Sequence, residues 1–208
     1  MVTAGIGLVL IHGAGLGGWI WRDMTSSLTA PVLAAELPER DGEPDTRKNL
    51  SLDDYAEGVW QQLADLPAER VVVVAHSLGG VVGLKVADRL RQRLAGFVAV
   101  SAAIPAGGGS FVSSLPMPKR LIVGGLMRIF GTTPPTTAIR QGLCSDLTEE
   151  VVRRFAPEFQ LAMARNLGTE DVRQLAAGHL AMLSRPAELA GVFNDFASTL
   201  AAESDQPA

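Results

Sequence analysis

The stretch that decides the fold runs from Arg70 to Gly80, RVVVVAHSLGG, an apolar run that ends at a serine among small residues. Its four consecutive valines are typical of a strand buried on both faces of a parallel sheet. The next residues, VVGLKVADRLRQRL, repeat apolar side chains at helical spacing. Ser77 therefore lies in a tight turn between a strand and a helix. Except for Ala75 in place of the first glycine, the turn has the pattern Gly-x-Ser-x-Gly, which predicts a nucleophilic serine.

The length, charge and cysteine content of the chain argue against several classes of protein. The chain has 208 residues, 47% of them hydrophobic, and a formal net charge of -4. Without a basic excess, a nucleic-acid partner is not expected. A single cysteine, Cys144, excludes an internal disulfide and suits a reducing compartment. The N-terminus, MVTAGIGLVLIHG, has no basic leader and too short an apolar run to span a bilayer. We expect one cytoplasmic domain over residues 1–208, with a frayed tail at 202–208 and no membrane partner.

The first strand, Ile6 to Ile11, leads into a glycine-rich loop, HGAGLGGW. One interpretation is a dinucleotide-binding loop, with Glu36 as the acidic residue after a second strand. The other is an oxyanion hole, in which the backbone N–H of Ala14 faces that of Leu78. Two such donors stabilise the negative charge that develops on a carbonyl oxygen. The serine turn favours the second interpretation.

Strands and helices alternate along most of the chain, which indicates a parallel sheet with right-handed crossovers. We expect a reduced α/β sheet of about five strands in the order 2-1-3-4-5. Two tryptophans near the start of the first helix are interpreted as packing anchors rather than as part of a substrate site. The predicted elements after the first strand are a helix at Trp19 to Leu28, a strand at Val32 to Leu37, a helix from Ser51, the strand and helix around Ser77, a strand at Phe97 to Ser101, a fifth strand at Val172 to Ala177 and a helix at Pro186 to Leu200.

Residues 104–157 differ from the rest of the chain, being rich in glycine, proline, serine and threonine. Because this segment also contains an apolar stretch at Leu121 to Phe130, it is predicted to be an inserted lid over a pocket for a hydrophobic substrate. The alternative is that Leu121 to Val123 forms another strand of the sheet. Cys144 has no partners at metal-ligand spacing, and neither a metal nor a cofactor is predicted.

His179 is the predicted partner of the serine. A serine hydroxyl becomes a good nucleophile when a neighbouring imidazole accepts its proton. Of the three histidines, His12 and His76 precede the loop glycine and the serine, where they would orient backbone. His179 alone follows a separate predicted strand, at the same edge of the sheet as Ser77. A purely structural role for His179 is the alternative.

Three motifs, HGAGLGGWIW, AHSLGG and AGHLAMLSRPAELA, together resemble the α/β-hydrolase superfamily, in particular its branch of plant methyl-ester esterases and hydroxynitrile lyases. The likeness covers Ile6 to Ser101 and Leu175 to Phe196 well, and the predicted lid loosely. Lyases of that branch typically carry threonine and lysine after the two motif histidines. The Gly13 and Leu180 of this chain therefore favour ester hydrolysis.

The resemblance implies a lidded α/β-hydrolase fold with Ser77 as nucleophile, His179 as base and the N–H groups of Ala14 and Leu78 as oxyanion donors. It also implies a carboxylate that orients the histidine, carried by a strand between the lid and the histidine segment. This chain has no such strand in its sequence pattern. The candidates for the acid are two lid-side residues, Asp146 and Glu158.

Three outcomes follow from the missing strand: a Ser-His dyad, a replacement carboxylate from the lid, or a scaffold that binds a hydrophobic molecule or promotes a lyase or cyclisation step. The expected reaction is hydrolysis of a small, mostly apolar ester. The rival is the catalytically weak binding or non-hydrolytic protein. A sheet that omits a strand leaves an open edge, which is compatible with a homodimer.

Overall fold

A computed structural model describes residues 5–38, 50–115, 117, 119–130 and 161–204. Within these residues the centre of the fold is a parallel four-stranded sheet in the order β2-β1-β3-β4. The strands are β1 (Ile6–Ile11), β2 (Val32–Ala35), β3 (Arg70–His76) and β4 (Leu94–Val100). In register, Ile11 of β1 pairs with Ala35 of β2 and Ala75 of β3. The loops that leave these strands therefore begin at the same edge of the sheet.

Helices cover both faces of the sheet. The Ser51 side chain accepts a hydrogen bond from the backbone N–H of Asp54, whose carboxylate accepts one from the N–H of Ser51. This capping box confirms the predicted helix start. The helices are a 3-10 turn (Gly18–Trp21), α1 (Arg22–Thr25), α2 (Leu52–Gln62), α3 (Gly79–Leu90), α4 (Lys119–Phe130), α5 (Ala181–Ser184) and α6 (Pro186–Ser204).

The valine run of β3 supplies both faces of the core. Val72 lies in an apolar cluster with Phe193 of α6, whereas Val73 lies in a second cluster with Val86 of α3. Successive side chains of a strand point to opposite faces, so a strand covered by helices on both sides is apolar at every position. The predicted fold class and the order of the first four strands are confirmed.

The segment at 172–177, predicted as a fifth strand, is not part of the sheet in the described portion of the chain. Leu175 and Ala177 pack against the cluster that contains α6. Two apolar anchors separated by one residue can attach a loop to the core as well as they can line one face of a strand. Only Val172 in this segment is β-branched, so the pattern does not separate the two cases.

Residues Leu121 to Val123 lie in α4, so the alternative of another strand is wrong. The side chains of Leu121 and Ile122 are 67% and 61% exposed. The remainder of the predicted lid, from residue 131 to 157, lies outside the described residues. Asp146 and Cys144 are in that part.

Several helices and strands end a few residues away from their predicted boundaries. The first helix is divided into the 3-10 turn and α1, which ends at Thr25. The second strand ends at Ala35 rather than Leu37, and the fourth ends at Val100 because Ser101 has a positive φ of 44°. Helix α6 continues to Ser204, into the segment predicted as a frayed tail at 202–208.

Candidate active site

Ser77 occupies a strained turn between β3 and α3. Its φ is 54°, in the left-handed region that side chains other than glycine rarely adopt, at a cost of about 1–3 kcal/mol. The turn is held from β4 and beyond, because Ser77 donates its N–H to Val100 and its carbonyl accepts from Ala103 at 2.9 Å. These backbone bonds sustain the strain and leave the hydroxyl out of the sheet ladder.

Two glycines after the serine allow other backbone to approach. A Cβ atom at Gly79 would lie 2.6 Å from the carbonyl oxygen of His12, and one at Gly80 would overlap the carbonyl oxygen of Ala103. Neither neighbour is a side-chain end that can swing aside. The start of α3 is therefore wedged between the β1 loop and the segment after β4, which sets the position of Ser77.

The glycine-rich loop after β1 lies directly against this turn. A Cβ atom at Gly13 would come within 2.8 Å of the Cβ of Ser77. The predicted oxyanion donors, Ala14 and Leu78, are the next residues after the two members of this contact. Among the described residues, no hydrogen bond has the N–H of Ala14 or Leu78 as its donor. Their role as oxyanion donors stays a prediction, which this placement beside the serine supports.

His179 reaches the serine turn from the far end of the chain. The Nε2 of His76 donates to the backbone carbonyl of His179 at 3.0 Å, and the two imidazole rings lie 4.7 Å apart between centroids. His179 follows a loop rather than the strand that the sequence predicted, and it directly precedes Leu180 and α5. Its side chain is half-buried, as is Ser77.

The histidine next to the serine is kept neutral. Burial, together with the nearby imidazoles of His179 and His12, lowers the pKa of His76 from 6.5 to about 3. Because a carbonyl only accepts hydrogen bonds, Nε2 of His76 carries the proton and Nδ1 does not. In the described structure Nδ1 is buried without a hydrogen-bond partner. His76 thus orients the His179 backbone and is unsuited to act as a base near neutral pH.

His12 also binds backbone. Its Nδ1 donates to the carbonyl of Gly13 at 2.9 Å, and its Nε2 accepts from the N–H of Leu37 at 3.4 Å. The side chain is fully buried. The expectation that His12 and His76 orient loop backbone agrees with these contacts, which leaves His179 as the half-buried histidine of the three.

The two tryptophans of the first loop have different roles. Trp21 is fully buried and meets the ring of His76 edge-on at 6.3 Å between centroids, as expected of a packing anchor. Trp19 is 50% exposed, so the same expectation is wrong for it. Residues two apart lie on different sides of a 3-10 turn, as they do in an α-helix, so Trp19 points outward where Trp21 points into the core.

The acidic residues considered in the sequence differ in where the structure places them. Asp146 and Glu158, the candidates for the orienting acid, lie outside the described residues. Asp171 is exposed and pairs with Arg173 at 3.1 Å. Glu36, considered in the sequence only as a nucleotide ligand, binds the glycine-rich loop itself: its Oε1 accepts from the N–H of Gly18 at 2.8 Å. The signal that identifies this role is spatial, since β2 lies beside β1 and both end at the same edge.

The sequence profile of the alpha/beta hydrolase family matches residues 8–175, which is most of the chain. The chain therefore belongs to the alpha/beta hydrolase family. This membership replaces the dinucleotide-binding interpretation of the glycine-rich loop.

Named relatives are esterases. A carbendazim-hydrolysing esterase of Nocardioides sp. (strain SG-4G) is 28% identical over 72% of this chain and 68% of its own. Methyl jasmonate esterase 1 of Vitis vinifera is 36% identical over 47% of this chain, a match that spans only 39% of the grapevine protein. The named relatives therefore include a bacterial and a plant esterase, the second matched over less than half of its length.

Solved structures share the fold. An extracellular alpha/beta-hydrolase from a Paenibacillus species superposes with a TM-score of 0.75 at 15% identity, covering 92% of this chain and 99% of the other. Polyneuridine aldehyde esterase superposes with a TM-score of 0.64 at 20% identity, covering 92% and 98%. Among the described residues, no helix has the length and apolar character needed to cross a membrane.

Proposed function

We propose that the chain is a serine esterase that cleaves a small, mostly apolar carboxylic ester. Ser77 is the nucleophile, His179 the base, and the backbone N–H groups of Ala14 and Leu78 stabilise the oxyanion. The observation that carries the proposal is the joining of the strained serine turn to His179 through the His76 hydrogen bond. A strained serine without a histidine from another part of the chain would not point to acyl transfer.

The proposed reaction has two halves. The Ser77 oxygen attacks the ester carbon while its proton passes to His179, and the negative carbonyl oxygen is stabilised by the two N–H groups. The alcohol then leaves with the proton from His179, and an acyl group remains on the serine. A water molecule, deprotonated by His179, attacks the acyl carbon. The proton that His179 accepted from the water then passes to the Ser77 oxygen as the carboxylic acid is released.

Two arrangements are proposed for the group that orients His179. Either no carboxylate does so and the site is a Ser-His dyad, or the carboxylate of Asp146 or Glu158 completes a triad. Loss of the orienting acid in related chemistry costs on the order of 10⁴ in turnover. If one of these two residues is the acid, Asp146→Asn or Glu158→Gln lowers kcat by about that factor. If both variants stay within a few-fold of the parent, the site is a dyad. Steady-state hydrolysis of p-nitrophenyl acetate measures both.

The proposed substrate class depends on residues 104–157 acting as a lid. Support comes from α4, whose exposed Leu121 and Ile122 give an apolar surface after the β4 loop. The names of the relatives, which include carbendazim and methyl jasmonate esterases, agree with small esters. We expect p-nitrophenyl butyrate to be hydrolysed with a higher kcat/KM than a p-nitrophenyl ester of a charged acid. The reverse order would contradict an apolar pocket.

A proposed homodimer rests on β4. This strand, LAGFVAV, contains no charged residue and no proline, and it forms an edge of the sheet within the described residues. Edge strands without such protection tend to pair with other strands. Light scattering after gel filtration gives the mass in solution, and a monomer at micromolar concentration contradicts the dimer. The proposed location, supported by the lone cysteine, is the cytoplasm.

The central test is covalent labelling of the serine. A fluorophosphonate probe should label the chain stoichiometrically, at Ser77, and Ser77→Ala should abolish the label. Mass spectrometry of the intact protein and of the labelled peptide measures both. A folded chain that remains unlabelled would favour the rival, a protein that binds a hydrophobic molecule or promotes a non-hydrolytic step.

A further inference from the structure

Glu36 makes the contact from which a new role can be argued. It follows β2, and its Oε1 accepts a hydrogen bond from the backbone N–H of Gly18, where the glycine-rich loop ends. Its Oε2 lies 3.7 Å from Nε2 of His12, at the start of the same loop. One carboxylate thus lies between both ends of the loop that carries Ala14.

The loop is shaped around this carboxylate. A Cβ atom at Gly18 would lie 2.8 Å from Oε1 of Glu36, and one at Gly17 would lie 3.2 Å from its Oε2. The absence of side chains at these two positions is what allows the carboxylate to reach the backbone. Other atoms crowd the same positions, because Cδ1 of Trp19 would lie 2.9 Å from a Cβ at Gly17 and the carbonyl oxygen of Ala34 3.1 Å from one at Gly18. Neither residue has a positive φ, so the preference for glycine here is steric.

Glu36 is itself held from behind by α2. The side chain of Gln62 accepts from the backbone N–H of Glu36 at 2.9 Å and donates to its carbonyl at 2.7 Å. Gln62 also donates to the carbonyl of Gly58, one turn earlier in its own helix, at 2.8 Å. The backbone of Glu36 therefore has a defined position relative to a helix that packs on the sheet, although the carboxylate is 55% exposed.

The other end of the loop is held by His12, through its bond to the carbonyl of Gly13. Between Gly13 and Gly18 the backbone has one positive φ, 70° at Gly15. The N–H of Ala14 lies inside this interval. Its direction is set by where the two ends of the loop are held, and Glu36 holds the far end with a charge-assisted hydrogen bond.

We propose that Glu36 is a positioning residue that holds the oxyanion loop and so aims the N–H of Ala14 at the acyl oxygen. The inference rests on the proposed function, in which Ala14 is an oxyanion donor. A donor is effective only when it is fixed where charge develops, and a displacement of about 1 Å can cost on the order of 10²-fold in rate. Glu36 touches no reacting atom, so its effect acts entirely through the loop.

Four variants test the role. Glu36→Ala removes the acceptor, Glu36→Asp shortens the side chain so that it does not reach Gly18, and Glu36→Gln keeps an acceptor oxygen. The matched control is Glu57→Ala, because Glu57 is 45% exposed and its carboxylate accepts hydrogen bonds from Arg89 and Gln61, away from the loop. The readouts are kcat and KM separately, the rate of Ser77 labelling by a fluorophosphonate, and hydrogen exchange of the Gly18 amide.

We expect Glu36→Ala and Glu36→Asp to lower kcat and the labelling rate by about 10- to 100-fold with KM changed less than about 3-fold. The Gly18 amide should exchange faster in both. Glu36→Gln should restore the rates to within about 3-fold of the parent, and Glu57→Ala should leave rates and exchange unchanged. A merely structural role would lower the melting temperature without separating kcat from KM.

The inference is overturned if Glu36→Ala deprotects the Gly18 amide without lowering kcat, or if Glu36→Gln is as slow as Glu36→Ala. If Glu36→Ala does not fold, Glu36→Asp against Glu36→Gln carries the test. If the parent protein neither labels nor hydrolyses, the proposed function has failed. In that case the positioning role has no reaction to act on and fails with it. Faster exchange of the Gly18 amide in Glu36→Ala would then show only that Glu36 holds the loop, and unchanged exchange would contradict that contact as well.

Discussion

The two halves of the site are built differently. The serine side consists of one continuous strand-turn-helix, with β3 fully buried from Val71 to His76 and glycines wedged against neighbouring backbone. The histidine side is a loop with half-buried side chains, and the hydrogen bond from His76 to the carbonyl of His179 links it to the serine side. Local sequence can build a strained nucleophile, whereas the position of its base depends on contacts between distant parts of the chain. The predictions below test this difference.

The largest effect is expected when either half is removed. Ser77→Ala and His179→Ala should each reduce kcat by several orders of magnitude, up to about 10⁶, because neither group works without the other. The double variant should be no slower than the slower single variant. Steady-state hydrolysis of p-nitrophenyl acetate measures all three. Additive losses would contradict a shared proton transfer between the two sides.

The link between the halves should make stability depend on pH. The pKa of His76 is about 3 in the folded chain and 6.5 in the unfolded chain, so the unfolded state binds more protons between these values. Stability is therefore fully present above pH 6.5 and is lost as pH falls towards 3, by on the order of 5 kcal/mol. Urea unfolding at pH 7, 5.5 and 4.5 measures the slope. His76→Phe, which does not titrate, should flatten this part of the profile, and an unchanged slope would contradict the assignment.

A smaller effect is expected at the wedge on the serine side. Gly80→Ala adds a methyl against the carbonyl oxygen of Ala103 and should destabilise the chain by about 1–3 kcal/mol. The matched control is Gly125→Ala in α4, where no described atom beyond the adjacent residues and the helix's own backbone lies within 4 Å of the added methyl. There the better helix propensity of alanine should be neutral or stabilising by up to about 1 kcal/mol. Equal melting temperatures for the two variants would contradict the wedge.

The smallest effect concerns the strain at the nucleophile. Ser77→Gly relieves the positive φ, whereas Ser77→Ala retains it. We expect the glycine variant to be more stable than the alanine variant by about 1 kcal/mol, although both lack the nucleophile. Thermal unfolding of the two inactive variants gives the difference. If alanine is as stable as glycine here, the turn stores no strain.

Prediction from sequence succeeded where neighbours in sequence are neighbours in structure. The four consecutive valines of β3 are all buried, as expected of a strand covered on both faces. Ser51 and Asp54 form a capping box at the predicted helix start. Gly79 and Gly80 directly follow the serine turn, where other backbone approaches closely. It failed where the same pattern suits two structures. The segment at 172–177 anchors to the core as a loop, and Trp19 turns outward from a 3-10 turn.

The sequence by itself determined the four strands of the parallel sheet and the serine turn, because apolar periodicity and turn chemistry act over a few residues. Only the tertiary structure decided that His76 binds the backbone of His179 and that Glu36 binds Gly18. These contacts join residues far apart in the chain, and nothing in the local spacing of either partner encodes the other. They exist because strands of a parallel sheet end at one edge, where loops from distant segments meet.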